Sequence, residues 1–193
     1  MHDTLTPHPD DLTGLLASAK KDPAAADALT ARLYDELRAL ANRLMQGQPA
    51  GHTLQPTALV HEAWLRLANA ESAPSDRMHF VRLAAKAMRQ ILVDHARRRQ
   101  AEKRGGGRRR VSLDAALAWF EDRALDLVAL DTGLEQLAAR DGRQAQLVEL
   151  RFFGGLSIAE AAQALSVSTA TAERDWAVAR AFLFRELSDE DKP

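Results

Sequence analysis

The chain has 193 residues, a formal net charge of −1, 46% hydrophobic and 27% charged side chains, and no cysteine. The lack of cysteine excludes disulfides, thiolate metal sites and thiol nucleophiles, and no apolar run approaches the roughly 18 residues of a membrane span. The opening MHDTLTPHPDD has neither the charged start nor the apolar stretch of a secretory signal, so a cytoplasmic protein is expected, and abundant Ala and Leu favour helix over sheet.

A first helical block is expected over residues 10–99. LTGLLASAKK has helical spacing, and Asp22-Pro23 fits a helix start with proline in its first turn. From there Leu29, Leu33, Leu37, Leu40 and Leu44 share a face, until Gly47, Pro49 and Gly51 break the chain. Pro56-Thr57 opens a second helix, TALVHEAWLRLAN, and ESAPSDR reads as a loop. MHFVRLAAKAMRQILVDHARRR is a long periodic helix on which Phe80, Leu83 or Ala84, Ala87, Ile91 and His95 share a face. Arg82, Lys86 and Arg89, at spacings of four and three, share another, with Gln90 beside them.

The charge is unevenly spread. Residues 1–96 carry ten basic and eleven acidic side chains, residues 97–110 eight and one, and residues 111–193 eight and fifteen. The middle strip, RRRQAEKRGGGRRR, therefore concentrates +7 in a near-neutral protein. Arg97, Arg98 and Arg99 extend the cationic side of the long helix. A continuous cationic surface of this kind is what phosphates need, although a charged helix face can also be simply solvated. Gly105, Gly106 and Gly107 end helical structure, and residues 100–124 read as a linker.

A second helical block is expected over residues 125–187. VALDTGLEQLAARD and GRQAQLVELRFFGG are helices, the latter stopped at Gly154-Gly155. Ser157 with Glu160 forms a capping box ahead of IAEAAQAL, and after a break at Ser166-Val167, Ser168 caps the last helix. Ile158, Ala161, Ala162 and Leu165 give the first of this pair a small apolar face. Ala172, Trp176, Ala179 and Leu183 give the second its buried side. Two short helices separated by such a turn have the form of a helix-turn-helix. Thr169, Ala170, Thr171, Glu173, Arg174 and Ala177, left outward behind Ser168, occupy the positions that meet base edges in a major groove. An ordinary helical hairpin has the same pattern, and Glu173 argues against tight DNA binding by this part alone.

LVELRFFGGLSIAEAAQALSVSTATAERDWAVARAFLFREL resembles region 4 of the sigma-70 family, which reads the promoter −35 element. It departs from the family pattern at Ser166, where glycine is usual, and at Ala172 and Glu173, where valine and lysine are usual. ALVHEAWLRLA resembles the region 2 helix that docks on RNA polymerase, and His61, Glu62, Trp64, Leu65, Arg66 and Leu67 fall on it, with Ala58 in place of a usual acid. FVRLAAKAMRQILVDHARRR resembles the helix that melts and reads the −10 element, with Leu83, Ala85 and Gln90 in place of the usual Trp, Tyr and Asn. With no counterpart of region 1.1 and region 3, the chain resembles the extracytoplasmic-function (ECF) subfamily. The resemblance implies an all-α fold of two small helical domains, a region 2-like bundle at 10–99 and a region 4-like helix-turn-helix at 125–187, joined by a flexible linker at 100–124.

It also implies a function: a transcription initiation factor that binds core RNA polymerase and directs it to promoter DNA. The docking residues would be His61, Glu62, Trp64, Leu65, Arg66 and Leu67. The −10 contacts would be Arg82, Lys86, Arg89, Gln90, Arg97, Arg98 and Arg99. The −35 contacts would be Ser168, Thr169, Thr171, Glu173, Arg174 and Ala177. Asn69 to His79 would be the loop that captures flipped bases. An anti-sigma factor is a further partner implied by the family, though no residue here identifies it. Arg108 to Arg110 would begin the crossing between blocks, and the acidic residues of Val111 to Asp141 would either mimic RNA in the polymerase cleft or form a solvated linker. No cofactor, metal, membrane or small-molecule substrate is expected, nor is enzymatic activity. His61-Glu62 lacks the second histidine of a zinc-protease motif, because position 65 is Leu, and GGG lacks the Lys-Ser/Thr of a phosphate loop. A polymerase-independent dimeric helix-turn-helix regulator and a protein-interaction adaptor are the competing readings.

Overall fold

Helix starts in this chain are set by short polar side chains and prolines. The computed structural model describes residues 12–19, 21–45, 54–69, 73–102 and 127–189. Among them run eight helices and no strand: α1 (Leu12–Ser18), α2 (Pro23–Met45), α3 (Pro56–Ala68), α4 (Arg77–Glu102), α5 (Leu127–Arg140), α6 (Gly142–Phe152), α7 (Ile158–Ala164) and α8 (Thr169–Asp189). The all-α fold expected from the sequence is therefore present. The breakers Gly47, Pro49 and Gly51 and the three glycines and arginines of 104–110 lie outside the described residues, as does most of the 100–124 linker.

Each start satisfies backbone N–H groups that a helix leaves without partners. Asp22 Oδ1 accepts from the Ala24 N–H at 3.0 Å, and Pro23 follows it into α2. Pro56 occupies the first turn of α3, where its missing N–H costs nothing. Two caps escaped the sequence reading. Asp76, inside the loop ESAPSDR, accepts from the His79 N–H at 2.8 Å and starts α4, and these bonds hold its carboxyl below the ordinary aspartate value. Asp141 accepts from the N–H groups of Arg143 and Gln144 and starts α6. The break after α6 falls where the two glycines predict it. Gly155 takes a φ of +63°, a conformation that costs a side-chain-bearing residue but not glycine.

In the N-terminal block α2 packs on α1 and α3, and α3 on α4. In the C-terminal block α8 packs on α5, α6 and α7. The leucine stripe of α2 faces inward, with Leu37 and Leu40 buried and Leu29, Leu33 and Leu44 partly covered against the core. The two blocks are in contact, since α4 also packs on α5 and α6, and one continuous hydrophobic cluster runs through both.

That second contact explains why α4 buries more than the one face its periodicity suggests. Phe80, Ala84, Ala87 and Ile91 are buried as expected, while Leu83 and His95 are only half-buried. Val81, Ala85, Met88, Leu92 and Val93 are buried as well. Small residues at 84, 85 and 87 let neighbours approach from two sides, so α4 lies between the blocks instead of on the rim of one.

Phe80 has 1% of its surface exposed. Phe80→Ala is expected to lower the unfolding free energy by about 3–5 kcal/mol through reduced burial and the cavity left behind. Leu65→Ala, at a side chain 60% exposed, should change it by less than about 0.5 kcal/mol. Urea unfolding followed by circular dichroism distinguishes the two.

Candidate functional site

The helix-turn-helix is built by its two serines and the turn between them. Ser157 Oγ accepts from the Glu160 N–H while the Glu160 carboxylate accepts from the Ser157 N–H, so the capping box is complete. The Ser157 hydroxyl, donating to the Glu160 carboxylate at 2.7 Å, and then the Ser157 N–H hold that carboxyl below its usual value. Ser168 Oγ accepts from the Thr171 N–H at 3.1 Å and fixes the start of α8. Between them Ser166 adopts a φ of +56°, the left-handed conformation that a usual glycine would enter freely. The Val167 N–H bonds back to Ala162 O at 3.0 Å, which closes the turn.

Fully buried Ala161 and Ala172 lie on α7 and α8, whose close crossing needs small side chains, and fully buried Ala179 lies one face-repeat further along α8. Trp176 is half-buried beneath the Arg151 guanidinium, 4.7 Å from its ring centroid. On the opposite side Ser168, Thr169, Ala170, Glu173, Arg174 and Ala177 are exposed, and Thr171 is half-buried with its hydroxyl 2.9 Å from Ser168 Oγ. Arg174 Nε donates to Ala170 O at 3.2 Å, which lays its side chain along the start of α8. Asp175, which the sequence reading passed over, has 8% of its surface exposed and takes a 2.8 Å ion pair from Arg143 of α6. It ties α8 to α6 from behind the outward face.

The α3 candidates divide between two sides. His61, Leu65 and Arg66 are exposed and Glu62 is half-buried. Trp64 and Leu67 instead pack against the core, with Trp64 edge-on to Tyr34 at 6.4 Å. Arg66 is anchored to α4, donating to Gln90 at 3.2 Å and to Asp94 at 2.9 Å. The outward part of this set is therefore His61, Leu65 and Arg66, with Trp64 and Leu67 packed beneath it.

Of the α4 candidates Arg82, Lys86, Gln90, Arg97 and Arg98 are exposed, Arg89 and Arg99 are half-buried, and several are paired to the C-terminal block. Arg82 donates to Ala164 O, a terminal carbonyl of α7, at 3.0 Å. Arg89 donates from Nε to Asp131 Oδ1 at 2.8 Å and approaches Glu149 at 3.5 Å. Arg97 reaches the other oxygen, Asp131 Oδ2, at 2.9 Å. Arg43, from the last turn of α2, donates to Gly155 O at 2.6 Å. Arg98 turns back to Asp94 O at 3.2 Å, Arg99 is half-buried, and Lys86 is exposed. Asp131 and Glu149 were not foreseen, because a lone acid on a helix gives no sign in the sequence of which arginine it will meet.

Burial pushes the Glu149 carboxyl above its ordinary value, with Arg89 and Lys86 pulling against that and Asp131 adding to it. The ionised form is therefore disfavoured in the folded protein relative to the unfolded chain, and the penalty disappears as pH falls through the raised value. Glu149→Gln should raise the melting temperature at neutral pH and make no difference below pH 4.5, the ordinary glutamate value. Paired thermal melts at the two pH values check it. Ser166→Gly should stabilise the protein by about 1 kcal/mol, because glycine enters the left-handed region without the steric cost borne by serine. Ser166→Val should destabilise it, with thermal melts again as the readout.

Among the described residues no helix is long and apolar enough to cross a membrane, and no cluster of three or more His, Asp or Glu is placed to hold a metal ion. A search of curated proteins found no match. The model of one protein family, described as ECF sigma factor, matches residues 9–189. That span takes in the α3 surface, the cationic α4 and the capped helix-turn-helix in the order read from the sequence, and the chain belongs to the ECF sigma factor family, as a transcription initiation factor of the sigma-70 kind.

Proposed function

We propose that this chain binds core RNA polymerase through α3 and directs it to promoters by placing α4 on the −10 element and the start of α8 on the −35 element. The observation that carries the reading is the outward side of α8. Thr169, Ala170, Glu173, Arg174 and Ala177 are all exposed at the start of a helix whose opposite side is packed, the arrangement a recognition helix needs to enter a major groove. Glu173 would contribute repulsion from phosphates, so affinity would come from polymerase and from the cations of α4.

On this reading residues 10–99 form the polymerase-docking and −10 unit and residues 125–187 the −35 unit. His61, Leu65 and Arg66 would touch the polymerase, with Glu62, Trp64 and Leu67 shaping the surface. Arg82, Lys86, Arg89, Gln90, Arg97, Arg98 and Arg99 would serve the −10 DNA. Leu83 and Ala85, where aromatics are usual, would give a melted strand less to stack on. Promoter opening would be driven by differential binding to the separated strand, without nucleotide hydrolysis by this chain. Family membership does not support the polymerase-independent dimeric regulator.

Run-off transcription on genomic fragments with purified core polymerase tests the proposal. New transcripts sharing an upstream motif are expected only when the protein is added. Leu65→Glu combined with Arg66→Glu should abolish both these transcripts and co-elution with core enzyme while leaving the circular dichroism spectrum unchanged. Full co-elution of the double variant would refute docking through α3. Arg98→Ala with Arg99→Ala should flatten the salt dependence of promoter binding by about 0.9 for each phosphate that is no longer neutralised.

A further inference from the structure

We propose that Glu173 is the base-selecting residue of α8: its carboxylate accepts from the N4 amino group of a cytosine in the major groove, while Arg174 beside it takes a guanine of the same or the next base pair. The inference rests on the reading of α8 as the −35 helix and extends it to the bases that helix requires. Glu173 is exposed, and among the described residues no hydrogen bond or ion pair reaches its carboxylate. Its neighbours in the same block differ. Asp175, two residues on, is held by Arg143, and Glu160 is held by Ser157.

Two rows of side chains run along the outward side of α8. Thr169, Glu173 and Ala177 follow one another at spacings of four, and Ala170 and Arg174 lie beside them. Ala170 and Ala177 carry only a methyl group each, so nothing bulky keeps Glu173 and Arg174 from the floor of a groove. Successive residues rise about 1.5 Å along a helix, less than the roughly 3.4 Å between base pairs, so this pair addresses one base pair or two adjacent ones. The Arg174 Nε donates to Ala170 O at 3.2 Å. That bond steadies the side chain and leaves both Nη groups for a ligand, because no described residue takes them.

The chemistry of the groove then decides between bases. A carboxylate only accepts hydrogen bonds and a guanidinium only donates them. Guanine shows two acceptors in the major groove, O6 and N7, and thymine shows O4 and a methyl group, so both repel Glu173. Adenine sets its N7 acceptor beside the N6 amino group and matches by half. Cytosine offers its N4 amino group with no acceptor beside it. Glu173 therefore selects by exclusion as much as by attraction. The two Nη groups of Arg174 fit O6 and N7 of guanine, and the methyl groups of Ala170 and Ala177 suit the thymine methyl. The same carboxylate is repelled by phosphates, so Glu173 lowers affinity for every sequence and gains discrimination at one position.

The test uses the full chain with core polymerase. A duplex library, randomised across the −35 stretch of a promoter recovered by run-off transcription, is selected by the complex and sequenced. The unsubstituted protein is expected to prefer cytosine at one position by about tenfold. Glu173→Gln should move that preference to adenine, whose N6 and N7 a glutamine amide can meet together, and leave every other position as it was. Glu173→Ala should abolish the preference at that position alone. Glu173 is exposed and unpaired among the described residues, so both variants should keep the circular dichroism spectrum and melting temperature of the parent. If both variants instead bind all sequences more tightly and keep the parent's base preferences, Glu173 acts on phosphates only and the inference is overturned. An enriched motif that ignores Glu173 removes this inference and leaves the reading of α8 standing. Transcripts whose −35 stretch shows no preferred base at any position remove that reading, and the role of Glu173 with it.

Discussion

A helix flanked by packed neighbours on two sides must bury what it carries, and α4 carries arginines. The arrangement of the two blocks follows from how that conflict is met. The apolar and small residues of α4, Phe80, Ala84, Met88 and Ile91 among them, enter the shared core. The largely covered guanidinium of Arg89 is met by the carboxylates of Asp131 and Glu149, and Arg97, half exposed, reaches Asp131 from the rim. Removing water from such ions is costly unless partners replace it. Asp131 sits on the first turns of α5, so its position fixes where that helix can lie against α4. From α5 the placement passes to α8 and α6 by direct packing, and from α6 through Arg143 and Asp175 to the packed side of α8.

The parts of this molecule that are locally encoded were readable in the sequence. Ser157 with Glu160, and Ser168 before Thr171, make bonds within three residues, so their pattern in the chain is nearly their geometry in space. Proline at 23 and 56 and the glycine pair at 154–155 act on the same short range. Asp76 belongs to this class too, yet it was hidden by the surrounding polar residues, which look like any loop until the His79 N–H turns to meet the carboxylate.

What could not be read is set by separations of tens of residues. Arg89 and Asp131 are 42 apart, and Arg143 and Asp175 are 32 apart. Periodicity showed correctly that Arg82, Lys86 and Arg89 share a side of α4, but periodicity describes one helix and not what covers it. For the same reason Ala85 and Met88 gave no warning that a second surface was buried, and Trp64 was grouped with Leu65 although one lies on the core and the other in solvent. The outward residues of α8 fared better because Ala172 and Ala179 leave little doubt about which way the helix faces.

The order in which the seam's two halves occur along the chain has a consequence for synthesis. A ribosome delivers Arg82, Arg89 and Arg97 before any of the groups that neutralise them, and Asp131 follows Arg97 by 34 residues. At about 5–20 residues per second, the nascent N-terminal helices spend a few seconds as an uncompensated cationic surface close to ribosomal RNA and polysomal message. Only when α5 has emerged can that surface be quenched from within. Until then the partly made chain carries guanidinium groups whose partners in the finished protein do not yet exist.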